Sequence, residues 1–222
     1  MPRWGTHLQV ANNILKKRKD ISKNEFLFGN ILPDLQSGYL IADVSNISSH
    51  VLNHYKYDNG IPTYINFLNA YDGKLDNSML LGYYSHLITD YYFNKWFKEK
   101  LVYDNDNVVV GYTNNSNDIV FCTKDESTIA KQEDFKKFDY YLYEKRDIPT
   151  PIYDDNIVGI ANDIKRIHII GEDVKKVVSF LEEEKEIARA SEKKLDIYKE
   201  EELEQEIDKV TDIILELLDK LK

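Results

Sequence analysis

The stretch Gly82-Tyr83-Tyr84-Ser85-His86-Leu87-Ile88-Thr89-Asp90 decides how this chain is read. It lies in a run for which either Asp76 or Asn77 supplies an N-cap, and the pattern predicts one long helix from Ser78 to about Val102. On such a helix His86 and Asp90, four residues apart, leave the same face with Cβ atoms ~5–6 Å from each other. That spacing lets an imidazole nitrogen and a carboxylate oxygen reach one divalent ion at ~2.0–2.2 Å. The same pair could equally be a salt bridge on a helix surface. However, Leu80, Leu81, Leu87, Ile88, Phe93, Trp96 and the tyrosines leave little polar surface around it, and a buried His–Asp pair calls for a further partner.

Candidate partners lie upstream. Thr6 and Gln9 have capping-box spacing, and Leu8, Ala11, Ile14 and Leu15 recur at helical period, so a helix is expected from about Thr6 to Lys19 with His7 in its first turn. Ser22 and Glu25 repeat the box ahead of Phe26-Leu27-Phe28, and Pro33 closes that second short helix, which places Asp34 on the loop beyond it. The segment from Gly38 to Ser49 is irregular, as a loop over a site would be. His50 and His54 are four apart and suit two ligands, or one ligand and a residue behind it. Each residue alone has an ordinary role, His7 as a polar first-turn residue and Asp34 as a turn or cap. Their joint occurrence is harder to dismiss.

In order along the chain, the segments WGTH (4–7), FLFGNILPDL (26–35), SSHVLNHY (48–55) and GYYSHLITDYYF (82–93) resemble the zinc-dependent phospholipase C family, whose fold is shared with P1-type nucleases. The resemblance covers a little under half of the chain. It implies a mainly α, multi-helix bundle forming one domain over residues 1–222. It also implies metal ligation by His7, Asp34, His54, His86 and Asp90, with Asp90 bridging two ions and Asp34 doubling as a catalytic general base. Zinc is the implied cofactor, as one or two ions, although His/Asp sites also accept other divalent metals.

The chain departs from the family pattern in three places. Secreted members use a free N-terminal tryptophan as a ligand, whereas Trp4 is internal here and no export signal precedes it. A histidine expected about a turn and a half beyond the bridging aspartate is absent, Asn94 and Trp96 standing there instead. A later H-x3-E pair is matched in spacing by His168 and Glu172, but Gly171 intervenes, and the ordinary reading is a helix-start acid beside a histidine. The implied activity is hydrolysis of a phosphodiester, on a phospholipid head group or a nucleotide-type substrate. The alternative is a noncatalytic member with a structural ion or none, acting as a protein-interaction module. An adjacent His-Asp doublet, which an HD-type phosphohydrolase needs, does not occur.

Beyond the site segment, Val108–Tyr112 and Ile119–Thr123 read as two strands around a polar turn, a small hairpin inserted near 107–124. Thr128 to Arg146 is expected to be helical, and Ile148–Tyr153, with two prolines, extended. The rest is helical and charged, ending in a stripe of Leu203, Ile207, Val210, Ile214, Leu217 and Leu221 that should pack on the domain.

Composition narrows the function classes. The chain has 222 residues with a formal net charge of −10, which argues against a duplex-nucleic-acid footprint yet leaves a phosphate-ester substrate open, because bound cations reverse a local field. Sixteen tyrosines bring large area with a polar tip, and most are expected to fill the core. A single cysteine, Cys122, excludes an intrachain disulfide and offers no thiolate cluster. No apolar run reaches the ~18–20 residues of a membrane span, and no signal-peptide core is present, so the expected location is the cytoplasm.

Overall fold

The helix carrying His86 and Asp90 is present as α4, Ser78–Lys100, and the Asn77 side chain caps it by accepting from the Leu80 N–H at 2.8 Å. It is the fourth of eight α-helices in the computed structural model, which describes residues 2–35, 62–164, 167, 169–190 and 194–221. Ahead of it come α1 (Trp4–Lys17), α2 (Lys23–Gly29), a 3-10 turn (Leu32–Asp34) and α3 (Thr63–Ala70). Behind it come β1 (Leu101–Tyr103), β2 (Val109–Thr113), β3 (Ile119–Phe121), α5 (Lys124–Lys145), α6 (Asp155–Asp163), α7 (Gly171–Ala190) and α8 (Glu200–Asp219).

The mainly helical class with a small inserted sheet is as the sequence predicts, and four boundaries differ for physical reasons. Helix α1 begins at Trp4 rather than Thr6, because its first turn is capped from outside. The Gly5 N–H, the Thr6 N–H and the Thr6 hydroxyl all donate to the Asp139 carboxylate of α5, at 2.7, 2.9 and 2.9 Å. Asp34 sits within the 3-10 turn instead of on an open loop, since Pro33 is tolerated in a first turn. Helix α4 stops at Lys100, and Leu101–Tyr103 pairs with β2, so the hairpin is a three-stranded antiparallel sheet in the order β1-β2-β3. Finally, α5 starts at Lys124, because Thr123 and Glu126 form both bonds of a capping box.

One buried apolar cluster draws residues from all eight helices, among them Leu8, Phe26, Phe67, Leu87, Phe135, Ile157, Val177 and Ile207. The α8 stripe is buried at Leu203, Ile207, Val210 and Ile214, and its next buried position is Leu218, with Leu217 partly covered. Fully burying such side chains contributes ~1.5–3 kcal/mol each, which is what holds the last helix against α1 and α4. Tyr83, Tyr84 and Tyr198 are core residues, as expected for much of the tyrosine.

Helices α2 and α4 cross with almost no side chain between them. A Cβ on Gly29 would collide with the Met79 carbonyl oxygen, and one on Gly82 with that of Phe26. This close approach, which only glycine permits, sets the 3-10 turn and Asp34 against the middle of α4.

Candidate metal centre

Three elements converge on the middle of α4. Helix α1 presents His7, the 3-10 turn presents Asp34, and α4 itself presents His86 and Asp90 one turn apart. One ligand atom each from His7, Asp34 and His86 lies within 4.8 Å of the other two, and all three residues are buried. Asp90 completes the group: its Oδ1 is 3.3 Å from His7 Nε2 and its Oδ2 is 3.3 Å from His86 Nε2. His86 Nε2 also lies 3.9 Å from Asp34 Oδ2. The two imidazoles are stacked, with centroids 3.8 Å apart and planes 6° from parallel.

The orientation of His86 is fixed by the main chain. Its Nδ1 is 2.7 Å from the Asn30 carbonyl oxygen, which can only accept, so Nδ1 carries the hydrogen and Nε2 is turned to the carboxylates. An imidazole whose far nitrogen donates to a carbonyl is a usual arrangement for a metal ligand. Asp34 is held in turn by the Trp4 indole N–H, which donates to Oδ2 at 3.1 Å.

Burial disfavours the charged form of His86, but the Asp90 and Asp34 carboxylates outweigh it, and the group is pushed up to about 9. For His7, burial and the neighbouring His86 charge dominate and lower it below the ordinary histidine value. Burial alone would raise the Asp90 carboxyl; the His86 charge and the contacts from both imidazoles instead hold it well below the usual carboxylate range. Neither Asp90 oxygen and neither His7 ring nitrogen has an aligned hydrogen bond among the described residues. Buried polar atoms in that condition are costly unless something else satisfies them. Lone-pair nitrogens and carboxylate oxygens crowded in this way are the donor set of a divalent cation, so the residues fit a zinc-like ion.

Of the sequence candidates, His7, Asp34, His86 and Asp90 are thus brought together. His50, His54 and His168 lie outside the described residues. Glu172 is in the first turn of α7 with an exposed side chain that pairs with Lys175 at 2.9 Å. Trp96 stacks on Tyr198 with centroids 4.4 Å apart, and Asn94 accepts a hydrogen bond from Lys131. Trp4, Asn30 and the glycine pair were not read from the sequence as parts of the site. The compact spelling FLFGN and the tryptophan three residues before His7 are the signals that carried them.

Among the described residues no helix is long and apolar enough to cross a membrane. Comparison with curated proteins and with solved structures finds no match for the chain. A family model does match: residues 6–101 fit that of zinc dependent phospholipase C. This segment begins in the first turn of α1, ends just past α4, and contains all four clustered side chains. Over that segment the chain is similar to the zinc dependent phospholipase C family.

Proposed function

We propose that the chain is a metal-dependent phosphodiester hydrolase whose ion, zinc by preference, is held by His7, Asp34, His86 and Asp90. The observation that carries this reading is the His86 ring. Its Nδ1–H is committed to the Asn30 carbonyl, and its Nε2 faces two buried carboxylates beside a second imidazole. When bound, such an ion supplies Lewis acidity and an activated water nucleophile near neutral pH.

The chain's own residues have distinct parts in this reading. Asp90, with one oxygen toward each imidazole, would act as the bridging carboxylate, which the two 3.3 Å contacts support. Asp34, anchored through one oxygen by the Trp4 indole, is positioned to orient a water and take its proton. The family match points to a phospholipid head group as the substrate class, with nucleotide phosphodiesters second. His54 would join the ligand set by resemblance.

The near-complete burial of all four side chains favours a second reading, a structural ion in a noncatalytic member. The two separate experimentally. Untagged protein is assayed for metal by elemental analysis and for hydrolysis on phospholipid vesicles and a chromogenic phosphodiester. His86→Ala and Asp90→Ala are expected to lose both metal and activity, while Asp34→Asn keeps more metal and loses hydrolysis. Unchanged metal in the His86 and Asp90 variants sinks the assignment. Metal without hydrolysis in the parent protein selects the structural reading.

A further inference from the structure

Among the described residues, Lys131 on α5 is the one buried lysine, at 7% exposure. Its Nζ donates to Asn94 Oδ1 at 3.2 Å and lies 4.5 Å from the centroid of the Phe97 ring. Asn94 follows Asp90 by four residues on α4, so His86, Asp90 and Asn94 form one line along the helix face. The ammonium therefore sits at the far end of the stripe that carries the metal candidates.

Buried lysines are rare and normally meet a carboxylate, or else thread the ammonium out to water along an apolar surface. Lys131 meets no carboxylate at ion-pair distance among the described residues. Among them its partners are a neutral amide oxygen and an aromatic face. Among the described residues the carboxylate whose field reaches it is that of Asp90, and none lies at ion-pair distance. Burial accordingly lowers its pKa from the ordinary lysine value.

Charge balance makes the consequence definite. One divalent ion would neutralise the Asp34 and Asp90 carboxylates, and Asp90 would then no longer compensate the lysine. The loaded centre with Lys131 beside it carries net positive charge in a buried place, and a second ion increases that excess. Such a site is completed by an anion.

We propose that Lys131 is the anion-binding residue of this centre: its ammonium, held at the end of the His86–Asp90–Asn94 line, receives a phosphoryl oxygen of the ligand. The proposal rests on the metal reading above and adds to it a protein cation that grips the phosphate. A compact ammonium suits a single phosphoryl oxygen approached end-on.

The test is calorimetric titration of zinc-loaded protein, freed of excess metal, with inorganic phosphate. Zinc content is measured on the same samples. The parent protein is expected to bind phosphate, and Lys131→Met, which keeps the apolar stem, to bind it at least about tenfold more weakly at unchanged zinc content. Lys131→Gln, which retains a donor to Asn94 without the charge, carries the same expectation should the methionine variant not fold. Lys131→Arg should recover most of the affinity. Equal phosphate affinity in parent and neutral variants, or no phosphate binding by fully loaded parent protein, overturns the proposal alone. Absence of zinc from the parent protein overturns the metal reading and this inference together, and the metal assay tells the two failures apart.

Discussion

Asp139 in the second half of the molecule and Asp90 in the first are equally buried, each 1% exposed and each inside a helix, yet their surroundings are opposite. The Asp139 carboxylate accepts from two backbone amides and a hydroxyl at the start of α1, with Glu184-paired Arg3 close by. Asp134, also on α5, accepts the N–H groups of Asp196, Ile197 and Tyr198 at 2.8, 2.6 and 3.2 Å. These two carboxylates finish helix and loop ends, and the polypeptide supplies everything they need. Asp90 instead faces two imidazole nitrogens without an aligned N–H, and one of those imidazoles is driven toward its neutral form. A buried acid completed by backbone is part of the scaffold; one turned toward two imidazole nitrogens suits the proposed cation. The same residue type at the same depth thus stands in two different surroundings, and the partner atoms tell them apart.

The largest effect expected from this contrast is on metal-linked stability. With free ion near a thousandfold above its Kd, the parent protein should gain about 4 kcal/mol over the chelator-treated form. Asp90→Asn and His86→Ala should lose that whole increment, whereas Asp139→Asn should keep it. Thermal melts with and without chelator decide this, and equal chelator shifts in all three variants would erase the distinction. Next in size, Asp139→Ala should cost about 2–3 kcal/mol whether or not metal is present, because buried amides at the start of α1 lose their acceptor. Urea unfolding of metal-free protein measures it. Gly82→Ala follows, at about 1–3 kcal/mol of strain from the added methyl, with weaker metal binding as a secondary result visible by competition with a chromogenic chelator.

The smallest effect is a proton. The folded-state pKa of His86, pushed up to about 9, is above the value of about 6.5 expected for an unfolded histidine. Its contribution to the metal-free fold is therefore fully present below about 6.5 and lost as pH rises through 9. Loading must remove that proton, so metal uptake at pH 7 should release about one proton per chain, read from titrations in buffers of different ionisation enthalpy. His86→Ala should abolish the release.

What the sequence disclosed of this contrast was its local part. His86 and Asp90 share a face because they are four apart on a helix whose Asn77 cap is adjacent in sequence, and the α8 stripe is a periodicity within one segment. The contacts that finish the picture join distant residues. Asp139 caps α1 across more than a hundred positions, which is why Thr6 and Gln9, despite capping-box spacing, do not begin the helix. Box spacing was an uneven guide elsewhere too: Ser22 makes no side-chain cap, while Thr123 and Glu126, overlooked in the sequence, make the full reciprocal pair. β1 was absorbed into the preceding helix because Leu101–Tyr103 becomes a strand only through its partner β2. The Trp4–Asp34 and Lys131–Asn94 bonds likewise have no signature in spacing.

The bare crossing of α2 and α4 has a consequence for chemistry as well as for packing. Asn30 follows Gly29 directly, so the carbonyl that receives the His86 Nδ1–H lies one residue beyond the point of closest approach. Which ring nitrogen of a buried imidazole keeps its hydrogen is therefore governed by two residues that have no side chain at all. A methyl group at either glycine would leave every candidate ligand in the sequence and force apart the helices that carry Asn30 and His86, so the tautomer at this centre is inherited from the distance between two helices.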